Sequence, residues 1–372
     1  MPTIELVRRS PIVNTFRVAK VQGMFDLPAH SESEFRIRVD MPIEDKPWKL
    51  GLITGASGTG KSTVARDQFT MVNSHSWDAP SLVDDFPANM TPTEITNLLV
   101  SVGLSSSPAW LRPYRVLSTG QQFRADLART LAEQHDGQPV AIDEFTSTVD
   151  RTVAKSVSVA LAKHVRRNPN PLVLVSCHKD IIEWLQPDWV CDLDRAEFTW
   201  GTVQPRPQVT LAIREGTSQA WPLFRGHHYL SGDLSPAARV FLGYVQLGDD
   251  DERLAGFFSI LPVMGHTGWR RGHRTVILPD FQGLGIGNRL IETVAEQLWQ
   301  RERIRFRATT SAPGLVQHRL RRPEMWRLAQ APAMKANTST KGKLRGKTSA
   351  GRLTTSWVYI PKDKRLNHAD AG

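Results

Sequence analysis

The chain has 372 residues, 40% of them hydrophobic and 23% charged, with 47 Lys+Arg against 37 Asp+Glu and a net charge of +10. At ~100–200 residues per domain, two domains are expected, each large enough for its own core. No apolar run approaches ~18 residues and the first residues lack a signal-peptide layout, so membrane-spanning and secreted readings are excluded. Two cysteines, Cys177 and Cys191, supply neither a disulfide framework nor a four-cysteine zinc site, and a reducing cytoplasmic setting is expected.

The charge is unevenly placed. Residues 1–205 carry 21 Lys+Arg and 24 Asp+Glu, a net of −3, whereas residues 206–372 carry 26 and 13, a net of +13. The change coincides with Val203–Gln208, where two closely spaced prolines disfavour helix and extend the chain. A linker there divides the chain into domains at 1–205 and 206–372.

In the first domain, Lys49–Thr54 reads as a short buried strand. It runs into Gly55-Ala-Ser-Gly-Thr-Gly-Lys-Ser62 and then a helix start at Thr63. This is G-x-x-x-x-G-K-[ST] in its strand–loop–helix setting. Gly55, Ser57, Gly58, Gly60 and Thr63 curl backbone N–H groups and a helix N-terminus around a phosphate. Lys61 reaches the β- and γ-phosphates, and the Ser62 hydroxyl ligates Mg²⁺. Leu117–Arg129 follows, with Ser118, Gly120 and Gln121 near its start. Pro139–Glu144 is an apolar strand ending in two carboxylates. Asp143 is expected to hold Mg²⁺ through water, and Glu144 to orient or deprotonate the attacking water. Ser147–Asp150 and, after a helix, the apolar strand Leu172–His178 complete the series.

In this order the five elements resemble an ABC-type ATPase over about residues 10–200: Walker A, an LSGGQ-like signature, Walker B with its catalytic Glu144, a D-loop and the switch His178. Thr119 stands where a Gly is usual in the signature. The resemblance implies that Ser118, Gly120, Gln121 and Asp150 contact ATP, and that an ATP-dependent head-to-tail homodimer forms, since the signature of one copy closes over the P-loop of another. No Gln follows a clear strand between the P-loop and the signature, so Asp84 or Asp85 is the candidate for the metal-sensing role. Phe25 is the candidate adenine-stacking aromatic.

In the second domain, Thr275–Asn288 reads as a β-branched strand, then Gln282-Gly283-x-Gly285-x-Gly287, then a helix with Ile291, Val294, Ala295 and Leu298 on one face. Ala238–Gln246 and Arg253–Leu261 read as a hairpin around an acidic turn. Arg305–Thr310 and Thr354–Ile360 read as later strands. A glycine-rich strand-to-helix turn is an anion cradle, for which a dinucleotide is the competing ligand. The Q-x-x-G-x-G spacing and its surroundings resemble the GNAT acyltransferases over about 208–361. The fold class is therefore α/β, with an N-terminal ABC-type P-loop domain followed by a GNAT-like mixed α/β domain. The resemblance implies acetyl-CoA or another acyl-CoA bound at Gln282, Gly283, Gly285 and Gly287, and an oxyanion donor among the backbone N–H groups of Ile277 and Leu278. The helix near Pro313–Arg322 has no Tyr for the leaving thiolate, and His318 is its neutral titratable candidate. Gly226–Ser231 clusters imidazoles, a phenol and a hydroxyl. Proton transfer or substrate binding by His228 and Tyr229 stands beside ordinary polar packing there. The spacing of His227, His228, His266 and His273 is not diagnostic of a metal site.

Lys335–Arg352 carries six basic residues and no acidic one. With Arg270, Arg271, Arg274, Arg319, Arg321 and Arg322 it points to phosphate-backbone binding. The whole chain resembles fused ABC-ATPase/GNAT proteins of prokaryotic and phage genomes. Phage DNA-modifying GNATs and ATPase–GNAT fusions that acetylate tRNA bases are analogies for its chemistry. Three functions are carried forward. They are ATP-dependent acylation of DNA or tRNA, acylation of a protein or small amine, and a non-enzymatic ATP-gated DNA clamp whose GNAT part senses acyl-CoA.

Overall fold

The computed structural model describes residues 3–25, 32–72, 75–134, 137–201, 207–228, 233–334 and 353–365. Tyr229, most of the expected linker and the whole basic stretch 335–352 lie outside these residues.

The chain opens with β1 (Thr3–Pro11), α1 (Phe16–Phe25) and β2 (Glu32–Asp40), followed by β3 (Leu50–Thr54), α2 (Lys61–Gln68) and β4 (Thr70–Met71). Helices α3 (Pro92–Ser101), α4 (Ser107–Trp110) and α5 (Thr119–Glu133) come next. Then follow β5 (Val140–Ile142), α6 (Arg151–Val165), β6 (Leu172–Ser176), α7 (Ile182–Leu185), β7 (Trp189–Asp192) and β8 (Glu197–Trp200). The remainder begins with β9 (Val209–Gly216), α8 (Trp221–Arg225), β10 (Arg239–Leu247), β11 (Arg253–Val263) and β12 (His266–Ile277). It ends with α9 (Ile286–Glu302), β13 (Arg305–Thr310), α10 (Pro313–Leu320), β14 (Trp326–Met334) and β15 (Leu353–Tyr359).

Two compact units result. One comprises Met1–Asn73, Gln134–Ser147 and Val165–Pro205; the other comprises Ser74–Glu133, Thr148–His164 and Arg206–Gly372. The last cut falls at the charge boundary. Two segments ahead of that boundary, holding α3–α5 and nearly all of α6, group with the C-terminal residues.

The first unit is built on a six-stranded sheet of order β4-β5-β6-β3-β7-β8, parallel except for β8. Strands β3 (LGLIT) and β6 (LVLVS) are buried at every residue, which is why they read as unbroken apolar runs. Ile53, Val64, Ala141, Val173, Val175 and Trp189 form its core, joined by Ile4, Ile37 and Val39 of the antiparallel β1–β2 pair.

The second unit has a seven-stranded sheet of order β14-β15-β13-β12-β11-β10-β9, antiparallel except for β12–β13. Leu290, Ile291, Val294, Ala295 and Leu298 of α9 pack with Phe241, Phe258, Phe306 and Trp357, as the helical spacing predicts. A second cluster joins Trp221 and Phe224 of α8 to Val240, Phe257 and Val276. The expected hairpin is β10–β11. Helix α3 starts at a capping box, in which Thr91 Oγ1 accepts the Glu94 N–H and the Glu94 carboxylate accepts the Thr91 N–H, with Pro92 in the first turn.

Candidate functional site

At the end of β3, Gly55–Gly60 turns the buried strand into α2. Gly60 is the N-cap, with φ 88°, a left-handed conformation that a Cβ disfavours. A Cβ there would also lie 2.2 Å from Ile37 Cδ1 of β2. No side chain caps α2, which leaves its leading N–H groups for an anion. Lys61 Nζ donates to Ala56 O across the loop at 2.7 Å. The Ala56 N–H donates to Asp194 Oδ1 at 2.7 Å, and Lys179 Nζ lies 2.8 Å from carboxylate oxygens of both Asp192 and Asp194. The hydrogen bond from Ala56, then that from Lys179, holds the Asp194 carboxyl below its ordinary range. This brace gives no sequence signal. Asp194 is 138 positions from Ala56, and β3–β7 pairing brings them together.

Strand β6 lies between β3 and β5, with Thr54 opposite Ser176 and Ile142 opposite Leu174. The P-loop, the Asp143–Glu144 pair and His178 therefore emerge from one edge of the sheet, where α/β folds bind ligands. Asp143 Oδ1 accepts the Glu144 N–H at 2.9 Å. Glu144 (φ 50°) and Thr146 (φ 69°) are both left-handed, a strain of about 1–3 kcal/mol each that clusters at functional sites. The turn is held to β6, since the Phe145 N–H donates to Val175 O and Ser176 Oγ donates to Phe145 O, each at 2.8 Å. Three buried polar atoms at this edge, Thr54 Oγ1, Thr146 Oγ1 and His178 Nδ1, have no partner among the described residues. Orphaned atoms at an uncapped helix end suit a polar ligand, and ATP with Mg²⁺ fits the set. Ser62 and Asp143 are the residues that would hold the metal, and Gly55, Ser57, Gly58, Lys61 and Thr63 those that would cradle the phosphates.

In the second unit, Ser118–Gln121 opens α5, with the Ser118 N–H donating to Gln121 Oε1 at 3.1 Å. Asp150 Oδ1 caps α6, accepting the Thr152 and Val153 N–H groups at 2.8 and 3.1 Å. Asp85 Oδ1 accepts the Asp78 and Ala79 N–H groups, and Asp84 accepts from Ser81 Oγ, so both carboxylates close their own turn. In the first unit, Phe25 ends α1 and is 68% exposed.

The second candidate site lies where β12 and β13 part. They pair only from Trp269–Arg271 to Arg305–Arg307. Beyond that, β13 pairs with β15 and β12 continues along β11 to Ile277. The parallel strands thus splay toward their C-terminal ends. The Leu278 N–H is not available to an oxyanion, because it donates to Ala255 O at 2.9 Å on β11. Strand alternation turns the Ile277 N–H to the open side.

The glycine loop ahead of α9 is divided in role. Gly285 is the α9 N-cap with φ 80°, no side chain caps the 17-residue helix, and nothing lies within 4 Å of a Cβ at Gly285. Gly287 follows in the first turn. This is an open anion site of the kind a pyrophosphate needs, and an acyl-CoA fits it. Gln282 and Gly283, expected to face the cofactor, face protein instead. Gln282 Nε2 donates to Ile277 O at 2.9 Å, and Gln282 Oε1 accepts the Ser105 N–H at 2.8 Å. Its amide is spent on holding the loop.

Titratable groups stand after α8 and on β12, α9 and α10. His228 is 9% exposed and lies edge-on to Trp221. His273 is the extra residue where the β11–β12 register shifts, between Arg274 opposite Ser259 and Gly272 opposite Ile260. Such bulges re-aim side chains beside active sites. Burial first, then the charges of Arg274, Arg271 and His228, pushes His273 down to about 4, so it is neutral near pH 7, and its Nε2 has no partner among the described residues. In the sequence His273 is only one of several spaced histidines, because a bulge is invisible without its partner strand. His318 Nε2 lies 2.6 Å from Glu292 Oε1, which also accepts from Trp326 Nε1 at 3.1 Å. Burial pushes the Glu292 carboxyl up, but the bonds from His318 and Trp326 outweigh it and hold the carboxyl below its ordinary value.

Residues 181–320 match the model of the acetyltransferase (GNAT) family. The chain carries a GNAT domain. Ahead of it stands the parallel sheet that carries the P-loop. The GNAT sheet itself starts at β9, inside the matched range.

Similar solved structures include a dimeric bacterial ABC transporter cassette (15% identity, 43% of this chain and 87% of that chain, TM-score 0.33). Another is cbiO1 of Clostridium perfringens, part of an ABC transporter complex (15%, 46% and 82%, TM-score 0.34). A third is an IAA acetyltransferase of Bacillus cereus (12%, 41% and 100%, TM-score 0.29). No curated protein matches the chain. Among the described residues, no helix is long and apolar enough to cross a membrane. Cys177 is exposed, Cys191 is buried, and both are free thiols.

Proposed function

We propose that the protein binds and hydrolyses ATP with Mg²⁺ and transfers an acyl group from acyl-CoA to an amine, with nucleic acid as the acceptor. The observation that carries the transferase reading is the uncapped N-terminus of α9 at Gly285 beside the splayed β12–β13 pair. The first feature holds a pyrophosphate, and the second leaves backbone N–H groups such as that of Ile277 for the thioester oxygen. The ATPase reading rests on the uncapped α2 with Lys61, and on Asp143, Glu144 and His178 at the same sheet edge. One P-loop and one signature per chain support a head-to-tail homodimer around ATP.

Nucleic acid is favoured by the net charge of +13 on residues 206–372. Arg271, Arg321 and Arg322 are exposed, but Arg274 (8% exposed) and Arg319 (2%) are buried and do not meet a phosphate backbone. Arg319 instead lies over the Trp326 ring at 4.4 Å. If ~6 phosphates are neutralised, affinity of the full chain for RNA or DNA falls about 10³-fold between 50 and 200 mM salt. Replacing Lys341, Lys343, Arg345 and Lys347 with Gln is expected to flatten the log–log slope by up to about four units. Filter binding at several salt concentrations measures both. Weak, salt-independent binding would move the acceptor to a protein or small amine.

A further inference from the structure

Arg124 is 1% exposed, four residues beyond Gly120 on α5. Its Nη1 donates to Gly120 O at 3.2 Å, back into the signature turn. Its Nη2 donates to Pro279 O at 2.9 Å, in the turn that leads into the acyl-CoA loop. The acidic charges acting on it are Asp280, from that same turn, and Asp150, the cap of α6. Fully burying a guanidinium is costly, so a side chain kept in this position implies a role for its two bonds.

The loop is enclosed by the same helices. The Ser105 N–H holds Gln282 Oε1 at 2.8 Å. A Cβ at Gly283 would lie 2.7 Å from Ala160 Cβ of α6, and one at Gly103, past the end of α3, would lie 2.9 Å from Gln282 O. Lys155 of α6 pairs with Asp250 at 2.6 Å, and Arg253 donates to Thr152 Oγ1, which ties α6 to the β10–β11 hairpin. The helices that carry the signature and follow the D-loop are thus the back wall of the acyl-CoA loop. Contacts this close are bistable rather than compressible, so a shift on one side is passed to the other.

We infer that ATP and acyl-CoA binding are coupled through Arg124, a positioning residue that joins the Ser118–Gly120 turn to the Pro279–Gly283 turn. The inference rests on the reading that the chain binds both ligands. A nucleotide held on a partner copy and engaging Ser118 and Gly120 fixes Arg124. The loop that presents the α9 N-terminus is then already ordered when acyl-CoA arrives.

The test is calorimetry of acetyl-CoA binding to the full-length Glu144→Gln chain, with and without ATP and Mg²⁺. ATP is expected to tighten the Kd by about 5- to 150-fold. Arg124→Lys keeps the charge but cannot reach both carbonyls, and is expected to remove that shift while acetyl-CoA still binds. Should Arg124→Lys fail to fold, Arg124→Gln, whose shorter amide cannot reach both carbonyls, takes its place and is likewise expected to remove the shift. A chain that binds both ligands independently overturns the coupling alone, as does a shift that persists undiminished in folded Arg124→Lys. A chain that does not bind acetyl-CoA overturns the acyl-CoA reading and the coupling with it.

Discussion

Replacing Glu144 with Gln is expected to lower ATP hydrolysis by about 10²–10⁴-fold while ATP stays bound, the span typical of removing a general base. The substitution removes a carboxylate at an exposed, left-handed position and leaves the cradle of Gly55–Lys61 untouched. The Glu144 N–H bond to Asp143 is made by the backbone and survives. Because hydrolysis ends the closed state, the Glu144→Gln form with ATP is also expected to persist as a dimer. Phosphate release, nucleotide retention and light scattering at micromolar concentration read the three quantities. Undiminished hydrolysis would remove Glu144 from the chemistry, and a strictly monomeric ATP-bound form would defeat the head-to-tail dimer.

Replacing Gly285 with Asp is expected to weaken acetyl-CoA binding by about 10³-fold. A carboxylate about 4 Å from a pyrophosphate charge costs about 4 kcal/mol at an effective dielectric near 20, which is about three decades in Kd. Strain at φ 80° adds to this. The fold is expected to tolerate the change, since nothing lies within 4 Å of the added Cβ. Gly285→Ala separates the terms, keeping the strain and omitting the charge, and is expected to bind acetyl-CoA between the two. Calorimetry measures all three forms. Equal affinity for native and Gly285→Asp chains would mean that the α9 N-terminus is not the acyl-CoA site.

What the sequence made legible was local or contiguous. The P-loop is eight consecutive residues whose conformation follows from their glycines. Strands β3 and β6 announced themselves as apolar runs because both faces are buried. Helix α9 showed its buried face as a 3.6-residue period. Other features depend on which strand or helix lies alongside, and no local pattern encodes that. The Asp194–Lys179 brace needs the β3–β7 pairing, and the His273 bulge needs the β11 register. Gln282 carries the family spacing, yet its amide binds Ser105, 177 positions earlier. Strand β14 is largely exposed and mixed in composition, whereas β2 alternates Phe35, Ile37 and Val39 with charged residues and buries only Ile37 and Val39, so its signal covers a short stretch. In the sequence Arg274 and Arg319 look like surface charge, because burial of an arginine leaves no mark on composition.

Acyl transfer by a chain that also binds ATP can be observed directly. Its most direct test is to supply the full-length protein with ATP, Mg²⁺, acetyl-labelled acetyl-CoA and cellular RNA and DNA, and to follow free CoA thiol together with label in the nucleic acid. CoA release matched by label in nucleosides is expected, with both lost in the Gly285→Asp form. Acetyl-CoA that binds but is never cleaved with any of these acceptors, or that is cleaved with no label entering nucleic acid, would contradict it.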